Sequence, residues 1–220
     1  MKKTALLLVF LLCSALPLMV SCGSGSQTNI SATISFLSGK VTILEDGKSV
    51  LAKKGMHIGV NGVIKTDTGA KAKLLFDDGA KILIEENSEL VMKELAKPSQ
   101  ESTLDIVVEL AKGIIYFDVT KRKSSKFQMD SSVAVSGVKG TKGTFQVDGN
   151  SNRWVLVTGK LEIATKKLID DKKYITKGEQ MVLDKDGNLK SSKVNLATEK
   201  FFGVPLLSDP DANISVITGN

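Results

Sequence analysis

The chain has 220 residues, and 30 lysines and arginines against 24 acidic residues give it a net charge of +6. This length suits one substantial domain or two small ones. With two cysteines and one histidine, the chain cannot form a multi-histidine zinc site. The histidine, His57, lies between Gly55 and Gly59, a position that favours a structural role. We therefore expect no enzyme activity, no cofactor and no metal site.

Residues 1–21 have the parts of a bacterial export signal. Lys2 and Lys3 precede an apolar run from Ala5 to Leu12, and a small residue comes before Cys22. The apolar run is too short to span a bilayer comfortably. A cysteine at the cleavage site predicts a lipoprotein, in which this cysteine carries acyl chains. Each CH₂ group of these chains contributes roughly 0.8 kcal/mol when it is buried in the bilayer, so several chains hold the protein at the membrane surface. We expect lipidation at Cys22; the alternative is ordinary secretion with a free Cys22.

The same segment predicts where the protein resides. Residues 22–33 contain Gly23-Ser24-Gly25-Ser26 directly after Cys22, which indicates a flexible tether to a lipid-anchored domain in the bacterial cell envelope. The residue after Cys22 is Gly23 and not aspartate, which favours the outer over the inner membrane. An exported chain meets no nucleic acid as a normal partner, so the positive charge indicates a solvated surface and not nucleic-acid binding.

From Ile34 onward, short aliphatic runs alternate with glycine and acidic turn signals. Residues 72–76 and 81–84 flank Asp77-Asp78-Gly79, a sequence that favours a hairpin turn. Residues 153–157 and 160–164 flank Thr158-Gly159, which we also interpret as a turn. The pattern predicts an all-β fold, and short strands with recurring turn glycines fit either a sandwich or a β-solenoid.

Several short motifs follow one another in an order that resembles a known domain. They are Ser38-Gly39-Lys40-Val41, Ala72 to Gly79, Leu110 to Ile114, Val138-Lys139-Gly140-Thr141, Val157 to Leu161 and Gly178-Glu179-Gln180. Together they resemble the FecR-type domain, the periplasmic domain of ferric-citrate regulator proteins, over residues 38–188. One departure is that Lys142 and Gly143 precede a second threonine, so either Gly140 or Gly143 takes the position of the family's glycine.

The resemblance implies an all-β domain of stacked short strands in a β-solenoid or β-roll arrangement. It also implies a non-enzymatic domain that binds proteins. In the regulators, this domain contacts the signalling domain of an outer-membrane receptor and is joined to a cytoplasmic segment through a membrane helix. No second long apolar segment follows here, so we expect a lipid-anchored interaction module in envelope sensing or architecture, with an envelope protein as partner. The alternative is a lipoprotein that binds cell-wall polysaccharide or a small molecule, which one tryptophan and two tyrosines make less favourable.

Two segments are candidate contacts for a partner or a membrane. Lys121, Arg122 and Lys123 form the densest basic cluster, which suits anionic headgroups or an acidic partner unless it is simply a solvated loop tip. We place the domain at residues 34–192 and a C-terminal tail at 193–220. In this tail Phe201 and Phe202 either pack back on the domain or dock a partner.

Overall fold

The computed structural model describes residues 32–96, 105–119 and 126–212, and β-strands dominate them. The described residues contain no α-helix, only a turn of 3₁₀ helix at Leu206–Ser208. The prediction of an all-β fold is confirmed. The strands are β1 (Ala32–Ser38), β2 (Val41–Glu45), β3 (Lys48–Leu51), β4 (His57–Ile58), β5 (Val63–Thr66), β6 (Lys71–Phe76), β7 (Lys81–Ile84), β8 (Glu89–Ala96), β9 (Asp105–Asp118), β10 (Phe127–Asp130), β11 (Ala134–Asp148), β12 (Ser151–Thr165), β13 (Leu168–Thr176), β14 (Glu179–Leu183), β15 (Leu189–Lys193), β16 (Lys200–Phe201) and β17 (Val204–Pro205).

One large mixed sheet folds over on itself because its longest strands change partners halfway along. The first half of β9 pairs with β8 and β10, and its second half pairs with β7 and β11. β12 likewise pairs with β14 near its start and with β13 near its end. The order β4-β1-β6-β7-β9-β11-β12-β14-β15 forms the A layer, and β3-β2-β5-β8-β9-β10-β11-β12-β13 forms the B layer.

The core lies between these two layers. Phe76 of the A layer meets Phe127 of the B layer edge to face, with their ring centroids 6.0 Å apart. Trp154 is fully buried, stacks on Phe145 at 4.9 Å, and donates a hydrogen bond across the core to Ser136 Oγ at 3.3 Å. One continuous apolar cluster therefore joins both layers, as close packing of two sheet faces requires.

Glycines allow the long strands to bend from one layer to the other. Gly113, in the middle of β9, has φ +99°, which L side chains rarely adopt. A Cβ at this position would lie 2.1 Å from Ser88 Oγ and 2.5 Å from Ser88 Cα. The bend of β9 at Gly113 therefore packs directly against Ser88, and only glycine fits there.

The predicted turn at Thr158-Gly159 is wrong. Residues 151–165 form one continuous strand, β12, which bends at Gly159 with φ +85° instead of reversing direction. The glycine at position 159 does mark a residue with a positive φ, as a turn glycine would. The strand nevertheless pairs with β11 on both sides of the bend, so the chain does not reverse. The hairpin prediction at Asp77-Asp78-Gly79 is confirmed by the antiparallel pairing of β6 and β7.

Candidate interaction surface

The chain continues past the last strand of the sheet and crosses the outer face of the A layer. Residues 194–212, which we call the strap, contain the short β16–β17 hairpin and the 3₁₀ turn. Strap side chains contact side chains on five strands of the A layer, namely β6, β7, β9, β11 and β12. The strap therefore covers a sheet face that would otherwise be open to solvent.

An apolar seat on the sheet receives the aromatic residues of the strap. We use the name apolar seat for Leu83, Tyr116 and Val155, whose side chains lie on the outer face of the A layer. Phe201 is 1% exposed and its ring centroid lies 5.8 Å from that of Tyr116. Burial of a phenylalanine contributes roughly 2 to 3 kcal/mol, so these contacts hold the strap on the sheet. The strap residues in this cluster are Leu196, Phe201, Phe202 and Leu206.

A lysine socket beside the apolar seat holds two carboxylates of the strap. We use the name lysine socket for Lys73, Lys81 and Lys142, which project from β6, β7 and β11. The Lys142 ammonium lies 2.7 Å from Asp209 Oδ2, and the Lys81 ammonium lies 2.6 Å from Asp211 Oδ2. Lys73 also pairs with Asp211. Three cations from three strands thus bind the segment Asp209-Pro210-Asp211.

Sheet register explains why these charges meet. Lys81, Asp118 and Lys142 are direct cross-strand neighbours on β7, β9 and β11. Lys142 also contacts Asp118 Oδ2 at 3.1 Å, and the Asp118 side chain is only 8% exposed. In the next row across the sheet, Leu83 and Tyr116 are neighbours. A charged row and an apolar row therefore lie side by side, and the strap matches both.

Ionisation equilibria in the socket favour the charged forms of its ion pairs. Burial opposes ionisation of Asp211, but the hydrogen bonds from Lys73 and Lys81 outweigh it and lower the pKa of this carboxyl group. Burial also opposes the charge of Lys142, yet its hydrogen bonds with Asp209 and Asp118 raise its pKa. Burial raises the pKa of Tyr116, which stays neutral and donates a hydrogen bond to Asp209 Oδ1 at 3.2 Å.

The rest of the strap is fixed by polar contacts at its start and middle. Arg153 on β12 makes a bidentate pair with Glu199, at 3.0 Å from Nη1 and 2.7 Å from Nη2. The Phe202 amide donates to the carboxylate of Glu85, and the ammonium of Lys71 lies 4.8 Å from the centroid of the Phe202 ring. These contacts anchor the strap along its whole path.

The structure locates only part of the predicted contact residues. Phe201 and Phe202 are 1% and 7% exposed, and their rings pack on the A layer. A partner can reach them only when the strap leaves the sheet, so their role as partner contacts stays a prediction. Cys22, Lys121, Arg122 and Lys123 lie outside the described residues.

The lysine socket is not evident from the sequence. The first and last of its three lysines, Lys73 and Lys142, are 69 positions apart in the sequence. Nothing in their local sequence distinguishes the three from other surface lysines. A usable signal was the alternation in β6, where Lys71 and Lys73 occupy the face opposite to the buried Ala72 and Leu74. Knowledge of the neighbouring strands was still needed to bring Lys81 and Lys142 beside them.

A cavity at one end of the layers is a second feature that bears on function. Hairpin tips at one end of the layers surround a cavity of about 410 Å³, whose lining includes Val133, Lys166, Leu168, Leu183 and Lys185.

Within residues 32–96, 105–119 and 126–212, no group of three or more histidine, cysteine, aspartate or glutamate side chains could hold a metal ion. In the same residues no helix has the length and apolar character to cross a membrane.

Comparison with known proteins identifies the domain. Residues 62–162 match the family model described as FecR protein. Two crystal structures of a candidate anti-sigma factor from Parabacteroides distasonis, at 1.65 Å and 2.50 Å resolution, align with 15% identity and a TM-score of 0.49. The alignment covers 60% of this chain and 60% of theirs. The curated proteins gave no significant match. FecR-family proteins are associated with the cell envelope, and residues 62–162 of this chain form a FecR-family domain.

Proposed function

We propose that this chain is a lipid-anchored protein of the bacterial cell envelope whose FecR domain binds a protein partner in sensing or envelope architecture. The role is non-enzymatic. One observation carries the proposal: the outer face of the A layer already holds a peptide segment, the strap, through an apolar seat and a lysine socket. A sheet face that binds one segment by side-chain contacts has the chemistry to recognise another.

The proposed organisation follows the sequence. Residues 1–21 act as the export signal, Cys22 carries the lipid, residues 22–33 form the tether, and the outer membrane is the favoured destination. The domain extends over residues 34–192 and the tail over 193–220. We propose that the two layers form a roll-like stack of short strands. The contact of the Gly113 corner with Ser88 and the close approach of Gly39 to Ala70 support this arrangement.

Affinity capture from crosslinked envelopes tests the proposal. The full-length chain is purified from membranes after crosslinking, beside a Cys22→Ala control that is exported but not lipidated. We expect an envelope protein to be recovered with the wild-type chain and to be depleted at least fivefold with Cys22→Ala. Mass measurement of the mature chain checks the lipid independently. Recovery of the same proteins in equal amounts from both chains would contradict an anchored interaction role.

A second candidate function is binding of a polysaccharide or small molecule of the cell wall. The cavity between the hairpin tips favours it, since apolar Val133 and Leu183 lie beside Lys166 and Lys185 at its wall. Thermal-shift measurements with soluble cell-wall fragments test this function. A Lys166→Ala/Lys185→Ala variant is the control, since a ligand held at the cavity should stabilise the wild-type chain and not the variant. No shift with any fragment would contradict it.

A further inference from the structure

The strap is held on the sheet by side chains and not by a β-ladder. Its backbone-to-backbone hydrogen bonds, among described residues after Val194, stay within the strap, such as Leu206 N–H to Glu199 O at 2.8 Å and Leu207 N–H to Leu196 O at 3.2 Å. The outer face of a sheet offers no backbone donors or acceptors to a segment that crosses it. Release of the strap therefore breaks no strand pairing, and the sheet beneath it can stay intact.

The sheet side of this contact is a built site for carboxylates. Lys73 and Lys81 are 17% and 26% exposed at their side chains, and Asp211 between them is 9% exposed. Lys142 is paired with Asp118 from the sheet as well as with Asp209 from the strap. If the strap left, Lys73 and Lys81 would lose the anion that they share, and both ammonium groups would be open to a carboxylate of another segment.

The spacing of the strap defines what such a ligand looks like. Its aromatic residues, Phe201 and Phe202, fill the apolar seat, and two carboxylates that are two residues apart, Asp209 and Asp211, follow in the lysine socket. A segment with this chemistry would satisfy the same contacts. A basic segment or a neutral one would supply no carboxylate to Lys73 and Lys81.

We infer that the apolar seat and lysine socket form a peptide-docking site, that the strap is its resident occupant, and that an acidic segment of a partner protein with aromatic residues ahead of its carboxylates exchanges with it. The inference rests on the proposed interaction role, and it names the surface and the partner chemistry. Because the strap is tethered, it competes at an effective concentration of roughly millimolar. The apparent affinity for an external segment is then reduced by the small fraction of chains whose strap is released.

A peptide-binding experiment on the full-length chain tests this inference. The probe is a fluorescent synthetic peptide with the sequence of residues 199–212, and the protein is an Asp209→Asn/Asp211→Asn variant, in which the strap is weakened and the socket is intact. We expect the variant to bind the probe at least tenfold more tightly than the wild-type chain does. A control peptide with asparagine at both aspartate positions should bind at least tenfold more weakly. Equal binding of the probe to both proteins, or of both peptides to the variant, would overturn the inference.

A second design covers the case in which the variant does not fold. A protease recognition sequence is inserted between Lys193 and Val194 of the otherwise wild-type chain, and the folded protein is cut there. We expect the cut strap to stay bound and to exchange with the labelled peptide, and to do so faster in high salt. A cut strap that dissociates at once, or that never exchanges with excess probe, would overturn the inference.

These outcomes are distinguishable from failure of the proposed function. Envelope capture of a partner without peptide exchange would refute the docking site and leave the interaction role standing. Peptide exchange without any captured partner would support the docking site and contradict the interaction role.

Discussion

Lys142 on β11 lies 2.7 Å from Asp209, a residue 67 positions further along the chain. The contact joins the sheet to the strap, and Asp118 on β9 approaches the same ammonium at 3.1 Å. One lysine therefore forms ion pairs with two carboxylates from two parts of the fold. Its environment makes it the most informative residue for measuring how firmly the strap is held.

Replacement of this lysine should destabilise the protein. In Lys142→Met, Asp118 is left 8% exposed beside Asp209 with their shared cation removed. We expect unfolding free energy to fall by about 2 kcal/mol, between the values for exposed and buried ion pairs. Urea denaturation measures the loss. The matched control is Lys190→Met, since the Lys190 side chain is 77% exposed and its pair with Asp184 is 3.5 Å long. A loss of the same size in both variants would contradict this role for Lys142.

The strap contact should weaken in acid. Lys73 and Lys81 lower the pKa of Asp211 below its ordinary value of 3.8, so the folded state holds this proton less tightly than the unfolded state does. The stabilisation is therefore complete above about pH 4 to 5 and is lost as the pH falls through the lowered pKa. Denaturation curves at pH 7 and pH 3 measure it. Asp211→Asn should have a smaller difference between the two pH values than the wild-type chain, and an unchanged difference would contradict the assignment.

Phe201 should contribute more to strap binding than the exposed residues around it. Phe201→Ala removes a ring that is 1% exposed and packed on Tyr116, and we expect a loss of about 3 kcal/mol in stability or release of the strap. Leu207→Ala is the control, because Leu207 is 63% exposed and should change stability by less than about 0.5 kcal/mol. Limited proteolysis within residues 194–212 separates the two effects. Unchanged stability together with a protected strap in Phe201→Ala would contradict the seat.

The corner at Gly113 should not tolerate a side chain. In Gly113→Ala the new Cβ would meet Ser88 Cα at 2.5 Å, and φ is +99° there. We expect a loss above about 3 kcal/mol or a failure to fold, because backbone must move and the positive φ adds strain. Gly47→Ala is the control, with φ +73° but no atom within 4 Å of its Cβ, and should cost about 1 kcal/mol. Comparable stabilities of the two variants would contradict the close corner contact.

Local signals in the sequence predict the strands and hairpins but not the folding of the sheet into two layers. Asp77-Asp78-Gly79 specifies a hairpin by itself, because turn chemistry is local. Gly159 gives the same local signal, yet β12 continues through it, because pairing with β11 on both sides decides the outcome. The lysine socket depends on cross-strand register between β6, β7, β9 and β11, which no segment of the sequence encodes alone.

The FecR resemblance is a different kind of prediction. It rests on the order of motifs between Ser38 and Gln180, and the family match over residues 62–162 confirms it. It carries no information about the strap, because residues 194–212 lie beyond the matched region. The sequence left open whether Phe201 and Phe202 pack back on the domain or dock a partner, and in the folded chain both rings are buried against the A layer.

Photo-crosslinking in living cells most directly tests whether the A layer binds an envelope partner. A photoreactive residue replaces Leu75, which is 39% exposed on β6 and next to Lys81 in the sheet register. A matched chain carries it at Lys139, an exposed position on the B layer part of β11. We expect a partner adduct from position 75, lost when Lys73 and Lys81 are both changed to methionine, and none from position 139. Equal adducts from both positions, or none from position 75, would contradict binding at this face.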